Sequence, residues 1–143
     1  SLLKVLLGES IPHSGTITTS AGLVVSYVPQ DTAHLNGLLS HFAEKHHLDE
    51  SLFKGILRKM GFERVQFEKK MEDFSAGQKK KVLLAASLCQ PAHLYVWDEP
   101  LNFVDLHTRL QITSLLRQAQ PTMLFAEHDR AFQEEIATQK ISL

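Results

Sequence analysis

The chain has 143 residues, of which 43% are hydrophobic, so it is long enough and apolar enough to bury a core as one globular domain. Its 15 Lys and Arg nearly balance its 16 Asp and Glu, and the net charge of -1 excludes a global field that would attract nucleic acid or membrane. The single cysteine excludes a disulfide within the chain, and no apolar stretch is long enough to span a bilayer. We therefore expect a cytoplasmic protein without direct insertion into a membrane.

The first half of the chain predicts a helix, a hairpin and a helical insert. The opening run SLLKVLLG has helical spacing, and TITTSAGLVVSYVPQ predicts two β-strands that turn at Ala21-Gly22. From residue 36 to about 67 the spacing becomes helical, and we expect a helical subdomain over about 36–88. Five apolar residues of this insert form one stripe at helical spacing, and Gly61 follows as a stop: Leu52, Phe53, Ile56, Leu57 and Met60.

The second half predicts helices alternating with short apolar strands. The segment after Ser75 is helical through Ala86, and HLYVWDEP contains a buried strand. A second amphipathic helix around Ile112 precedes another buried strand, TMLFAEHD, and ATQKISL predicts a last strand. This alternation indicates an α/β fold with a parallel sheet covered by helices on both faces.

Polar residues follow three of these predicted strands, where open α/β sheets bind their ligands. Gln30 follows VVSYVP, Asp98 and Glu99 follow LYVW, and His128 follows MLFAE. Each alone has an ordinary explanation, as a solvated loop residue, a strand stop or a structural histidine. Their order, with a Ser-Ala-Gly-Gln helix start between the first two, indicates a shared site.

The helix start Ser75-Ala76-Gly77-Gln78 has two interpretations. A serine followed three residues later by glutamine is a capping box, in which each side chain satisfies a free main-chain N–H group of the other residue. Gly77 in the first turn also leaves those N–H groups open to an anion, which the helix dipole favours. On this stretch alone the cap is the simpler interpretation.

Together these motifs resemble those of the ATP-binding-cassette (ABC) ATPases in order and spacing, over nearly the whole chain. Gln30 resembles the Q-loop glutamine, FSAGQ the signature motif, LYVWDE the Walker B strand, PLNFVD the D-loop and EHD the switch-histidine motif. The resemblance implies a P-loop NTPase-like α/β fold, with a parallel-sheet core, a small antiparallel β part and a helical subdomain. It also implies ATPase activity, with ATP and Mg²⁺ as cofactors.

The resemblance assigns a role in hydrolysis to four of these residues. Asp98 would hold Mg²⁺ through its water shell, and Gln30 would contact the metal or the attacking water. Glu99 would orient and deprotonate that water, and His128 would donate a hydrogen bond to charge developing at the γ-phosphate.

The remaining candidates implied by the resemblance bind the nucleotide. Ser75, Gly77 and Gln78 would face ATP held by a second cassette, and Asp105 of the D-loop belongs to the same set. Ser1 would align directly after the Mg²⁺-binding hydroxyl of the phosphate loop. The Walker A pattern G-x-x-x-x-G-K-[ST] does not occur in the sequence, so we interpret it as a fragment of a cassette and expect these 143 residues alone to bind ATP weakly.

Two stretches, EPLNFVD and the closing FAEHDRAFQEEIATQKISL, resemble the ABC-F proteins, especially those of the antibiotic-resistance type. ABC-F proteins carry two cassettes on one chain and act on the ribosome. The short spacing between Gln30 and Ser75 predicts the second cassette. The expected partners are then the other cassette and the ribosome or its RNA, and not DNA. An ATP-binding subunit of a membrane transporter is the alternative, and a non-enzymatic interaction module is a third possibility.

Other residues suggest chemistry but have simpler interpretations. Lys69-Lys70 and Lys79-Lys80-Lys81 could contact RNA phosphates, but a solvated helix face is the simpler prediction. The histidines are expected at the surface rather than around a metal: His41, His46 and His47. Trp97 and Cys89 are predicted to lie in the core.

Overall fold

A computed structural model describes residues 15–18, 24–29, 31–119, 121 and 123–126. Within these ranges the strands form one sheet in the order β1-β2-β3-β4. Strand β1 pairs antiparallel with β2, whereas β2, β3 and β4 are parallel to one another. The predicted antiparallel pair, the two later strands and the α/β class are thus confirmed, and the predicted turn at Ala21-Gly22 lies outside the described residues. The strands are β1 (Gly15–Thr18), β2 (Val24–Val28), β3 (Leu94–Asp98) and β4 (Met123–Ala126).

The described helices connect β2 to β3 and β3 to β4. Those between β2 and β3 form most of the predicted helical insert, together with a short 3₁₀ turn at Met71–Asp73. The α-helices are α1 (Leu39–Lys45), α2 (Glu50–Lys59), α3 (Arg64–Glu68), α4 (Ala76–Cys89) and α5 (Leu106–Ala119).

Helix α2 shows how local signals set its ends. The Asp49 side chain accepts a hydrogen bond from the main-chain N–H of Leu52 at 3.1 Å, which caps the first turn. The chain leaves the helix through Gly61, whose φ of 97° lies in the left-handed region that glycine adopts without strain. The predicted stop at this glycine is therefore confirmed.

The predicted apolar stripe of α2 is buried except at its first residue. Phe53, Ile56, Leu57 and Met60 are buried, but Leu52 is 50% exposed and lies outside the buried face of the stripe. Helix α2 contacts α1 and α4, and these neighbours cover only the face that carries the other four side chains. The buried stripe of a helix that has one face in solvent is narrower than the apolar residues of its sequence indicate.

Helix α4 lies in the centre of the described structure, in contact with both β2 and α2. It is buried on almost every side from Val82 to Ser87 and continues to Cys89 rather than ending at Ala86 as predicted. The extra turn includes Ser87, whose hydroxyl accepts a hydrogen bond from Trp97 Nε1 at 2.9 Å and lies 2.8 Å from the hydroxyl of Ser26. This buried polar network ties α4 to β2 and β3.

Trp97 is fully buried, as predicted. Cys89 is only partly buried, and burial, with a smaller contribution from the charge of Asp49, raises the pKa of its thiol to about 11. None of the helices in the described ranges is long and apolar enough to cross a membrane. The predicted opening helix and last strand lie outside the described residues, as do Ser1, Gln30 and His128.

Candidate functional site

The carboxyl ends of β2, β3 and β4 lie along one edge of the sheet because these strands are parallel. Their register pairs Val28 with Trp97 and Asp98 with Ala126. Gln30 follows the end of β2 and His128 follows the end of β4 in the sequence. The fold therefore brings the three strand ends that precede the predicted site residues to one edge, although Gln30 and His128 themselves lie outside the described residues.

Two consecutive carboxylates occupy the centre of this edge. Asp98 is the last residue of β3 and is 3% exposed, whereas Glu99 is half-buried. Glu99 has a φ of 50°, in the left-handed region that costs a non-glycine residue about 1 kcal/mol or more. This conformation ends the strand sharply. The side chain of Glu99 therefore does not continue the alternation of side chains between the two faces of the sheet along β3. A buried carboxylate at a strand end supplies the hard oxygen ligands that Mg²⁺ prefers, so these residues fit the implied metal.

Lys80 lies beneath the same edge and was missed by the sequence prediction. It is 1% exposed, and its ammonium donates hydrogen bonds to the main-chain oxygen of Pro29 at 3.2 Å and to that of Asp98 at 3.5 Å. The expectation of a solvated lysine face was therefore wrong for Lys80. A buried ammonium must be compensated by acceptors, and carbonyl oxygens where strands end provide them. The sequence does contain a signal for the burial of Lys80. Leu83 and Leu84 follow it by three and four residues, and residues at these spacings share one face of a helix, which here is the buried face.

The start of α4 is a capping box, as its sequence predicts. The main-chain N–H of Gln78 donates to Ser75 Oγ at 3.1 Å, and the N–H of Ser75 donates to Gln78 Oε1 at 3.0 Å. Ser75 and Ala76 are exposed, so the helix start faces solvent in this chain. The cap interpretation is thus confirmed, and the contact of this helix start with a nucleotide stays a prediction.

Gly77 has a further role within the chain, which the sequence prediction missed. A Cβ atom at this position would overlap the main-chain carbonyl oxygen of Phe103. The loop that follows Glu99 therefore passes directly over the first turn of α4, and only glycine allows this approach. Phe103 itself has a φ of 64° and an exposed ring.

Asp105 joins this loop to α4 and α5. Its carboxylate lies 2.7 Å from Lys81 Nζ and accepts a hydrogen bond from the N–H of Thr108 at 3.0 Å, which caps the start of α5. Partial burial raises the pKa of Asp105, but hydrogen bonds from Lys81 and Thr108 outweigh it and hold that pKa well below its usual value. The Thr108 hydroxyl also lies 3.0 Å from the main-chain oxygen of Met60, at the end of α2. Asp105 thus has structural partners, and its predicted contact with a nucleotide stays a prediction.

The histidines of the helical insert differ in their exposure. His41 and His47 are exposed, as predicted, whereas His46 is half-buried with its ring 4.4 Å from that of Phe42. Burial and the neighbouring charge of Lys45 lower the pKa of His46. No group of three or more His, Cys, Asp and Glu residues able to hold a metal ion occurs within the described ranges.

Comparison with known families identifies the class of this protein. Residues 1–102 match the family described as "ABC transporter", and the chain belongs to that family. The fold is that of the P-loop NTPases: an archaeal ribosome recycling factor, solved in complex with the ribosomal stalk protein aP1, has a TM-score of 0.71 and 27% identity over 94% of this chain and 27% of its own.

Curated relatives place the chain near the ABC-F proteins. It is 29% identical to the ATP-binding protein Uup of Caulobacter vibrioides, over 100% of this chain and 25% of Uup. It is 27% identical to the ribosome protection protein VmlR of Bacillus subtilis, over 99% of this chain and 26% of VmlR. The chain therefore spans about a quarter of the length of these relatives.

Proposed function

We propose that the chain is part of the second cassette of a cytoplasmic ABC-F protein that uses ATP and Mg²⁺ to act on the ribosome. Membership of the ABC family implies nucleotide binding and ATPase activity in general. The names of two relatives, a ribosome protection protein and a ribosome recycling factor, support the ribosome as the partner.

The observation that carries this proposal is the attachment of the loop after Glu99 to helix α4 at two points. The carbonyl of Phe103 packs against Gly77, and Asp105 pairs with Lys81. A displacement at the start of α4 would therefore pull on the segment that begins at the half-buried carboxylate. This connection supports a site in which the helix start and the carboxylates respond together to nucleotide.

The side chains at the sheet edge have complementary roles in the proposed reaction. Asp98 would hold Mg²⁺, and the bound ion would neutralise negative charge on the phosphates. Glu99 would accept the proton of the attacking water, for which a half-buried carboxylate beside a metal ligand is suited. Gln30 and His128, which follow the neighbouring strands, are proposed to position the water and to stabilise developing charge. Ser75 would meet ATP held by the other cassette.

The test is Glu99→Gln in the full-length protein, because the amide cannot accept the proton and the ATP-bound form should persist. We expect this variant to co-sediment with ribosomes in a sucrose gradient when ATP is present, and to inhibit translation. Glu44→Gln makes the same chemical change at an exposed position of α1 and is the matched control. The control should behave as the wild type.

Three results would count against the proposal. Absence of the Glu99→Gln protein from ribosomal fractions with and without ATP would remove the ribosome as partner. Its recovery in a membrane fraction, with translation unaffected, would favour the alternative of a transporter subunit. Unchanged ATP hydrolysis in the variant would show that Glu99 is not the base.

A further inference from the structure

A cleft of about 380 Å³ opens beside α2 and α3, in the helical part of the structure. Its lining is unusual in consisting of cations and aromatic rings: Lys54, Arg58, Phe62, Arg64 and Phe67. None of these residues belongs to the nucleotide site described above. Its volume falls in the range of about 300–1,000 Å³ that is typical of ligand pockets.

The charge around the cleft is opposite in sign to that of the whole chain. Residues 54–70 contain six Lys and Arg and only two carboxylates, Glu63 and Glu68, whereas the chain has a net charge of -1. The positive charge is therefore concentrated in one segment. An anionic ligand complements this segment and no neutral or basic ligand does.

Two of the three cations of the cleft form ion pairs, in each case with a carboxylate that is exposed to solvent. Arg64 lies 3.7 Å from Glu68, but both side chains are largely exposed, and such surface pairs contribute little. Lys54 lies 3.4 Å from Glu50. Within the described ranges, no carboxylate lies at ion-pair distance from Arg58. The cleft can thus receive an anion without first breaking a buried pair.

The aromatic part of the cleft is held in a fixed orientation. The Arg58 guanidinium lies 5.2 Å from the centre of the Phe67 ring, in a cation–π contact. Phe67 in turn packs edge-on against the buried Phe62 at 5.9 Å, and Phe62 packs against Phe74 at 5.6 Å. Because a guanidinium plane is, like an aromatic ring, a surface on which a planar base can stack, the Arg58–Phe67 pair offers such a surface.

We propose that this cleft binds an unpaired segment of RNA, with phosphates at Lys54, Arg58 and Arg64 and a base stacked at Phe67. Cations together with a stacking ring are the combination by which proteins hold single-stranded nucleic acid. An acidic peptide would satisfy the charges but would make no use of the ring. An unpaired segment can present a single base to the cleft, whereas a duplex buries its bases and cannot. On the function proposed above, the RNA would be ribosomal.

The test measures binding of the full-length protein to a fluorescent oligoadenylate of about ten nucleotides, a length within the known range of single-strand sites. Anisotropy is titrated at several salt concentrations. Arg58→Gln should weaken binding and reduce the slope of log K against log salt by about 0.7, the value for one phosphate contact to a single strand. Phe67→Leu should weaken binding by about fivefold or more while leaving that slope unchanged.

Lys45→Gln removes an exposed cation of α1 outside the cleft and is the charge-matched control, expected to change neither quantity. Circular dichroism establishes that Phe67→Leu is folded, and Arg58→Gln changes an exposed side chain, so one variant tests the cleft even if the other unfolds. Equal affinities of all three variants and the wild type would overturn the inference. So would stronger, cleft-dependent binding of an oligoglutamate peptide or of duplex RNA.

These outcomes are separate from failure of the proposed function. If Glu99→Gln co-sediments with ribosomes but the cleft variants bind oligoadenylate normally, only the RNA cleft is wrong. If the cleft variants lose oligoadenylate but no form of the protein reaches the ribosome, the cleft is correct and the ribosomal partner is wrong.

Discussion

Substituting Gly77 by alanine tests the close approach of the D-loop to helix α4. The added Cβ would overlap the main-chain oxygen of Phe103, and a main-chain atom cannot rotate away as a side chain can. Overpacking of this kind costs about 1–3 kcal/mol. Gly77 lies in the first turn of α4, where the gain in helix propensity is too small to offset that cost.

The matched control is Gly55→Ala in the middle of α2. A Cβ at Gly55 would meet nothing within 4 Å, so only the helix propensity changes, by up to about 1 kcal/mol in favour of alanine. We therefore expect the two identical substitutions to change stability in opposite directions. The difference between them should be at least about 1–2 kcal/mol.

Urea denaturation followed by Trp97 fluorescence measures this difference, because the indole is fully buried and is the only one in the chain. In the full-length protein, Gly77→Ala should also lower ATPase activity, since the loop after Glu99 must move to make room. If Gly77→Ala is as stable as Gly55→Ala, the loop does not lie against this turn and the proposed connection is wrong.

Three further changes test single contacts. Ser75→Asp should keep the stability of the chain, because aspartate caps a helix as well as serine does. In the full-length protein it should abolish ATP-driven closure, because it places like charge against a phosphate. Full activity of this variant would show that Ser75 only caps the helix. Asp105→Asn should destabilise the chain at pH 7, and this destabilisation should decline progressively only as the pH falls below about 4. The folded-state pKa is lowered, so the stabilisation is present above the unfolded-state pKa and is lost as the pH falls through the folded-state value; an effect in urea denaturation independent of pH would contradict the pairing with Lys81. Lys80→Met should cost about 1–3 kcal/mol because two buried carbonyls lose their donor, whereas Lys79→Met should stay within about 0.5 kcal/mol; equal effects would show that Lys80 is not buried.

Much of the fold follows from signals that act over a few residues. The capping box at Ser75, the glycine stop at Gly61 and the apolar run of β3 all predict their elements correctly, because each depends on neighbours along the chain. The place of the Asp98-Glu99 pair in the candidate site was also predictable, because the carboxyl ends of parallel strands lie at one edge of the sheet.

Other features depend on contacts between distant segments, which no local pattern specifies. The three consecutive lysines at 79–81 are identical in residue type. In the structure, however, Lys80 donates hydrogen bonds at the ends of β2 and β3, whereas Lys81 forms an ion pair with Asp105. Leu52 completes an apolar stripe in sequence but is exposed, because α1 and α4 do not cover it.

The same limit applies to the site. The sequence alone indicates that Gly77 leaves the main-chain N–H groups of a helix start accessible, because this depends only on the absence of a side chain at Gly77. Only the tertiary structure decided that the carbonyl of Phe103 lies where its Cβ would be, and that cations of α2 and α3 surround one aromatic cleft. Packing fixes these positions, because the free energy of each contact depends on which distant surfaces exclude water together, and that is a property of the folded chain as a whole.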